Sequence, residues 1–286
     1  MNEKQVTDGK LQEFKEYLLK QERSENTIQK YMRDVRAFLS YVNGREITKE
    51  LVIAYKRNLS EQHYAVNSIN SMLASVNTML EFSGWLDCKV KSIKQQHQIY
   101  CAENKELTKA EYLRLLDATK QQPRLYMIIQ TICGTGIRVS ELSFFTVEAV
   151  KTGEIVVDCK NKVRTILIPG KLKKMLLHYA KKNGIESGII FRSKKGNPLN
   201  RSNIWASMKK LCKAAKVKES KVFPHNLRKL FARMFYKMEK DIAKLADILG
   251  HSNINTTRIY IISTGTEHRK KIENLGLIIE NEQGDW

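Results

Sequence analysis

The C-terminal half of the chain carries residues whose types suit chemistry on a phosphate group. They are two arginines, two histidines and a tyrosine: Arg138, His225, Arg228, His251 and Tyr260. A planar guanidinium can donate two charge-assisted hydrogen bonds to phosphate oxygens. A tyrosine hydroxyl held beside such arginines can attack the phosphorus. No paired carboxylates that could hold a metal accompany the set, so it predicts metal-free phosphoryl transfer on a polyanion.

The net charge also predicts a polyanionic partner. Fifty Lys and Arg residues against 30 Asp and Glu residues leave a net charge of +20 over 286 residues. Such an excess favours nucleic acid or an anionic membrane surface. The sequence has no apolar run of about 18 residues and no visible signal peptide, which argues against the membrane. We therefore expect a cytoplasmic protein that binds nucleic acid.

The cysteine pattern predicts neither disulfides nor a bound metal. The five cysteines are widely scattered, and no Cys-x-x-Cys pair occurs. An odd number without regular spacing supports neither a disulfide framework nor a zinc ribbon. We expect reduced thiols, no metal site and no cofactor.

The first 90 residues have the pattern of a compact helical unit. Apolar residues recur at helical spacing between Ser24 and Asn43, and again from Ile69 to Leu80. Two further helical stretches near 8–22 and 47–62 complete about four helices. The sequence thus predicts an N-terminal helical domain over 1–90.

The rest of the chain is predicted to be mainly α-helical with a small antiparallel sheet. Residues 91–106 are basic, rich in glutamine and without periodicity, which is typical of an interdomain linker. Thr108 and Glu111 have the spacing of a capping box at the start of the next helix. Two β-rich runs, 154–158 and 164–169, predict a hairpin with a basic tip. This α+β domain is expected to span 107–286.

The predicted elements would present the candidate residues in three places. Arg138 follows a Gly-Thr-Gly break and is predicted to open a helix, whose first N–H groups favour an anion. His225 and Arg228 are three residues apart after a proline, so they would lie one turn apart on one helix face. Taken singly, a helix-opening arginine or a His-x-x-Arg pair is more often structural than functional.

The last two candidates flank a predicted helix end. Gly250 has the position of a C-terminal cap, so His251 would lie where the chain turns. Tyr260 follows nine residues after His251. A lone tyrosine is far more often a packing residue than a nucleophile, and only the combination with the other motifs favours chemistry.

In order and spacing, these motifs resemble the tyrosine recombinase (phage integrase) family. The catalytic domain of that family is similar to about 107–270 of this chain, and its helical core-binding domain, of the SAM-like type, to 8–90. The matching motifs are Thr135-Gly-Ile-Arg-Val-Ser-Glu-Leu142, His225-Asn-Leu-Arg228, Leu249-Gly-His-Ser252 and Thr256-Thr-Arg-Ile-Tyr260.

The resemblance implies a role for each candidate residue. Tyr260 would attack a scissile phosphodiester, form a 3′-phosphotyrosyl bond and release a 5′-hydroxyl. Arg138 and Arg228 would bind the non-bridging oxygens and stabilise the charge of the transition state. His225 would assist proton transfer from the tyrosine, and His251 would donate a hydrogen bond to the phosphate.

The family also uses a lysine on a β-hairpin as the acid that protonates the leaving oxygen. Its usual Gly-Lys-Gly-Asn-Lys-x-Arg sequence is one residue shorter here, as Cys159-Lys-Asn-Lys-Val-Arg164. Alignment of the Asn-Lys-x-Arg part favours Lys160 as the acid. Lys162 remains the alternative.

The family likeness also implies partners and leaves several functions open. The expected partners are double-stranded DNA core sites, a homotetramer on paired sites and possible accessory DNA-bending proteins. The layout is similar to two-domain Xer-type recombinases and to integrases of mobile elements, and integration or excision of a mobile element is favoured. Alternatives are Xer-type resolution of chromosome dimers, type IB topoisomerase-like activity and a non-catalytic DNA-binding accessory role.

Overall fold

The computed structural model describes residues 4–95, 105–158, 163–193, 195–261, 269, 272–275 and 277. The chain divides into two compact units, 1–97 and 98–286. The described residues are mainly α-helical and form one small antiparallel sheet, which confirms the predicted fold class.

Four α-helices and a short 3₁₀ helix form the first unit. The second helix begins after Ser24, as predicted, and ends at Asn43, which takes the left-handed conformation. The helices are α1 (Asp8–Lys20), α2 (Glu25–Val42), α3 (Lys49–Glu61) and α4 (Val66–Phe82), and the 3₁₀ helix is Leu86–Cys88.

Apolar side chains from these helices form a separate core in the first unit. Phe38 of α2 is fully buried, and its ring meets Tyr55 of α3 edge-on at 5.1 Å. Asp34 is buried as well. Its carboxylate accepts a hydrogen bond from Ser75 at 3.0 Å and forms an ion pair with Lys30 at 2.8 Å. These partners satisfy the one buried charge among the described residues of this unit.

The second unit consists of helices around a β-hairpin. Its elements are α5 (Lys109–Ala118), α6 (Pro123–Thr135), a 3₁₀ helix (Val139–Phe144), α7 (Val147–Thr152), β1 (Glu154–Asp158), β2 (Val163–Leu167), α8 (Gly170–Lys182), α9 (Arg201–Lys210), α10 (Cys212–Ala215), a 3₁₀ helix (Glu219–Lys221), α11 (Pro224–Glu239), α12 (Ile242–Leu249) and α13 (Ile254–Ile261). Helix α11 packs on α6, and α12 and α13 pack on each other and on α11.

Two local predictions for this unit are confirmed and one needs correction. Thr108 and Glu111 form the expected capping box at the start of α5. Strands β1 and β2 pair antiparallel, with Asp158 opposite Val163. The helix after Arg138 is a six-residue 3₁₀ helix rather than an α-helix, and the N–H of Arg138, its N-cap residue, already donates to Glu141 at 2.7 Å. That N–H group is therefore not a free anion-binding donor.

The described ends of the predicted linker each contact their own unit. The backbone of Ile93 is bonded to the side chain of Asn70 in α4. At the other end, Glu106 is buried and forms an ion pair with Arg233 of α11. Residues 96–104 lie outside the described part, so the linker at 91–106 stays a prediction.

Candidate active site

The candidate site is built around the C-terminal end of α12. Gly250 ends this helix in the left-handed conformation (φ 65°), and a Cβ there would overlap the side chain of Arg164. The last carbonyl groups of a helix have no partner within the helix and carry its negative end. Three successive carbonyls here accept from three arginines: Ile248 from Arg164 at 2.6 Å, Leu249 from Arg228 at 2.7 Å and Gly250 from Arg138 at 3.4 Å.

Arg228 is the most constrained of the three arginines. It is 1% exposed, and its guanidinium also donates to the carbonyl of Gly136 at 2.5 Å. Burial, and after it the charge of Arg138, lowers its pKa to about 10. Arg228 therefore remains a cation at neutral pH, held in one orientation by backbone carbonyls.

Arg138 is the accessible arginine of the site, with 45% of its side chain exposed. Its guanidinium is bonded to the carboxylate of Glu141 at 3.0 Å. Since that carboxylate also accepts from the backbone N–H of Arg138, Glu141 fixes both ends of the residue. The exposed part of the side chain can face a ligand from solvent.

Glu141 and Arg164 form a buried ion pair behind Arg138. Their side chains are 2% and 11% exposed, and the Nη2 of Arg164 lies 2.5 Å from the carboxylate of Glu141. Burial alone would raise the pKa of Glu141, but hydrogen bonds from Arg138 and Arg164 hold it below its ordinary value. Glu141 is thus a carboxylate that links β2 to the 3₁₀ helix of Arg138.

His251 connects Arg228 to the helix that carries the tyrosine. Its Nε2 lies 3.0 Å from Nη2 of Arg228, and its Nδ1 lies 2.8 Å from Oγ1 of Thr257. A guanidinium nitrogen can only donate, so Nε2 accepts and the ring proton is on Nδ1. Burial, then the charges of Arg228 and Arg138, lowers the pKa of His251 to about 4. The ring is therefore neutral at neutral pH.

Tyr260 lies between the two histidines. It is 6% exposed, and its ring meets His225 at 5.1 Å and His251 at 5.2 Å between centroids, nearly perpendicular to both. Tyr260 also belongs to a small apolar cluster with Leu245 and Leu249 of α12. The structure thus brings together the sequence-predicted residues Tyr260, His225 and His251.

His225 lies in the first turn of α11, where Pro224 starts the helix as predicted. Although the residue as a whole is exposed, partial burial of its ring is the main cause that lowers its pKa, to about 4. The charges of Lys229 and Arg228 act in the same direction. A neutral imidazole beside Tyr260 can accept a proton.

The candidate lysines lie outside the described residues. The structure describes β1 as far as Asp158 and β2 from Val163, and Lys160 and Lys162 fall between these strands. The choice between them stays a prediction.

Three residues of the site were not assigned a role from the sequence. Glu141 and Thr257 lie inside the recognised motifs, and Arg164 served only to align the hairpin. Their burial was the missing signal, because a charged or hydroxyl side chain with less than about a tenth exposed usually has a specific partner. Those partners are residues that come together only in the folded unit.

The described residues hold neither a metal-binding cluster nor a membrane-spanning helix. In this part of the chain, no group of three or more His, Cys, Asp or Glu side chains has a metal-binding arrangement. Among the same residues, no helix has the length and apolar character needed to cross a membrane.

The site combines a fixed cationic surface with a tyrosine whose side chain is largely buried. Arg228 and Arg138 supply planar donors, and the two neutral imidazoles flank the tyrosine. Such a set suits a tetrahedral oxyanion that is attacked by the phenolic oxygen.

Comparison with known proteins gives matches along nearly the whole chain. The model of the phage integrase family matches residues 105–267, and the model of the phage integrase N-terminal SAM-like domain matches residues 11–85. The tyrosine recombinase XerA of Pyrococcus furiosus is 28% identical over 286 residues, covering 97% of this chain and 98% of its own.

Two solved structures have the same fold. A crystal structure of XerA recombinase aligns with a TM-score of 0.53 at 26% identity, over 96% of this chain and 100% of that one. A lambda integrase tetramer bound to a Holliday junction aligns with a TM-score of 0.71 at 19% identity, over 91% and 78%. Since the family model alone matches more than half of the 286 residues, the chain belongs to the phage integrase family.

Proposed function

We propose that this protein is a site-specific DNA recombinase that cuts and rejoins DNA through a 3′-phosphotyrosyl intermediate. One observation carries the proposal: the buried Tyr260 lies between His225 and His251, and His251 is bonded to the buried Arg228. Membership in the phage integrase family and the likeness to XerA support it.

The proposed reaction begins with attack of Tyr260 on the scissile phosphorus. The phenolic oxygen forms the P–O bond and gives its proton to neutral His225, while the bond to the 5′-oxygen breaks. Arg138 and Arg228 bind the non-bridging oxygens, and His251 donates to one of them. The family likeness makes Lys160, or alternatively Lys162, the acid that protonates the leaving 5′-oxygen.

The reverse reaction accounts for strand exchange. The phosphotyrosyl bond keeps the energy of the broken diester, so the 5′-hydroxyl of another strand can attack it and release Tyr260. No nucleotide hydrolysis is required by this scheme, and we propose that cleavage proceeds without a metal or cofactor.

We further propose that the protein acts as a homotetramer on two double-stranded core sites in the cytoplasm. The lambda integrase of the matched structure is a tetramer on a Holliday junction, and the net charge of +20 suits a DNA partner. In this proposal 1–90 is the core-binding domain, 91–106 the linker and 107–286 the catalytic domain. Accessory DNA-bending proteins are possible further partners.

The C-terminal segment is proposed to dock on a neighbouring protomer, and the alternative is that it folds back onto its own domain. Ile272, Leu275 and Leu277 are all more than half exposed. A cavity of about 300 Å³ between α5, α6 and α11, lined by side chains that include Phe235 and Met238, is an apolar candidate acceptor. Truncation after residue 265 should abolish recombination that needs the tetramer and spare DNA binding. Unchanged recombination would refute the docking role.

Two biological roles remain within the proposal. We favour integration or excision of a mobile element, and the likeness to XerA over nearly the full length supports Xer-type resolution of chromosome dimers as the second candidate. Deletion of the gene separates them. Loss of the excised circle of an element supports the first role, whereas accumulation of unresolved chromosome dimers supports the second.

The chemistry can be tested with a nicked suicide duplex that carries a candidate core site, in the presence of EDTA. We expect a covalent adduct that is stable in SDS and absent for Tyr260→Phe. Tight binding of that duplex without an adduct would favour the accessory DNA-binding role. An adduct followed by relaxation of supercoils, without joining between two specific sites, would favour the topoisomerase-like activity.

A further inference from the structure

Helix α13 contacts the rest of the site through two buried side chains. Thr257 is 0% exposed and Tyr260 is 6% exposed, and their spacing of three residues places them on one face of the helix. Tyr260 is the proposed nucleophile. Thr257 directs its hydroxyl at Nδ1 of His251, at 2.8 Å.

The hydroxyl of Thr257 is a partner that can reverse its role. In the structure it accepts from Nδ1–H, because Nε2 of His251 accepts from Arg228. To donate a hydrogen bond to a phosphate oxygen, His251 must instead carry its proton on Nε2. Nδ1 then becomes an acceptor, and a hydroxyl group can donate to it without moving.

The alternative route to an Nε2–H donor is a doubly protonated ring. Burial and the neighbouring arginines oppose it, since they hold the pKa of His251 near 4. A change of tautomer needs no gain of charge: the ring releases the Nδ1 proton to water and takes a proton from water on Nε2. Because the tautomer change adds no positive charge, it is favoured over double protonation in a site that already holds three guanidinium groups.

We propose that Thr257 is a positioning residue for His251, whose hydroxyl supports both neutral tautomers and so lets His251 turn from an acceptor of Arg228 into a donor to the phosphate. This inference rests on the proposed function and concerns a residue that the family motifs leave without a role. Thr257 also connects helix α13, which carries Tyr260, to the phosphate-binding Arg228 through its hydrogen bond with His251.

The test uses variants of two adjacent threonines in the full chain. Thr257→Val removes the hydroxyl and keeps the shape, and Thr257→Ser keeps the hydroxyl. Thr256→Val is the matched control, since Thr256 lies on the same helix but is exposed. Thermal unfolding of each variant, measured by circular dichroism, shows whether the fold is retained.

The single-turnover rate of adduct formation on the nicked suicide duplex is the first measurement. Thr257→Val should be slowed by about tenfold or more, because a buried imidazole nitrogen is left without a partner. Thr257→Ser should restore most of the rate, and Thr256→Val should match the parent chain. A Thr257→Val chain as fast as the parent, or a Thr257→Ser chain as slow as Thr257→Val, would overturn the proposal.

A double-mutant cycle separates positioning from a general effect on packing. In a His251→Ala background, Thr257→Val should cause no further loss, since the hydroxyl acts through the imidazole. The same tenfold loss in that background would contradict the role. If the parent chain itself forms no adduct, the proposed function fails, and this failure is distinct from that of the inference.

The tautomer can be observed directly in the parent chain. Imidazole ¹⁵N spectra, with the signal of His251 identified by its absence in His251→Gln, should show the proton on Nδ1 without DNA. With duplex bound to Tyr260→Phe, the proton should be on Nε2. An Nε2–H form in the free protein, or an Nδ1–H form that persists on DNA, would overturn the proposal.

Discussion

The two units of this protein differ in what they bury. In the described part of the first unit, the buried polar side chains are Asp34 and Ser75, which are bonded to each other within an apolar core. The second unit also buries Glu106, Glu141, Lys221 and Arg228. Burial of a charge is costly unless it is paired. Two of these four charges, Glu141 and Arg228, lie at the proposed phosphate site, whereas Glu106 and Lys221 form ion pairs elsewhere in the unit.

The largest effect that would test this contrast is expected at Arg228. Arg228→Lys keeps the positive charge. An ammonium group, however, lacks the planar pair of nitrogen donors with which Arg228 bonds the carbonyls of Gly136 and Leu249. We expect adduct formation to fall by about a thousandfold at saturating DNA. The half-exposed Arg138, changed to lysine, is the matched control and should lose less. Equal losses would show that burial does not distinguish the two arginines.

In the first unit, the corresponding change is Phe38→Ala. Loss of this fully buried ring should lower the free energy of unfolding by about 3–5 kcal/mol, measured by urea denaturation. Leu19→Ala is the control, because Leu19 is 51% exposed. At temperatures where the variant remains folded and at saturating DNA, its adduct rate should equal that of the parent. A large change in the adduct rate would contradict the proposal that the first unit contributes packing and the second unit contributes the chemistry.

A smaller effect is expected at the glycine that ends α12. Gly250→Ala places a side chain at φ 65° and against Arg164, which should lower the free energy of unfolding by about 2 kcal/mol. Gly184→Ala, also at positive φ (63°) but with open space around it, is the control for backbone strain alone. If both variants lose the same stability, the contact with Arg164 has no energetic importance.

The smallest effect is a dependence of stability on pH that is specific to the second unit. His225 and His251 have pKa values of about 4 in the folded chain, against 6.5 for an ordinary histidine. The unfolded chain therefore takes up protons first as the pH falls, and stability should decrease between about pH 6.5 and pH 4. Replacing both histidines with glutamine should reduce this slope in urea denaturation. An unchanged slope would mean that other groups cause it.

The sequence allowed the fold class, the capping box of Thr108 and Glu111 and the β-hairpin to be predicted, because each depends on residues close together in the chain. The approach of Tyr260 to His225 was accessible only through the family likeness, since 35 positions separate them. The link from Arg164 to Glu141 and Ile248 could not be foreseen, because it requires packed helices and strands. The 3₁₀ form of the helix after Arg138 was likewise not predicted from the sequence.

The last turn of α12 holds three arginines through three consecutive carbonyl groups. A displacement of that single turn would therefore misorient all three cations together, even without any change in the tyrosine.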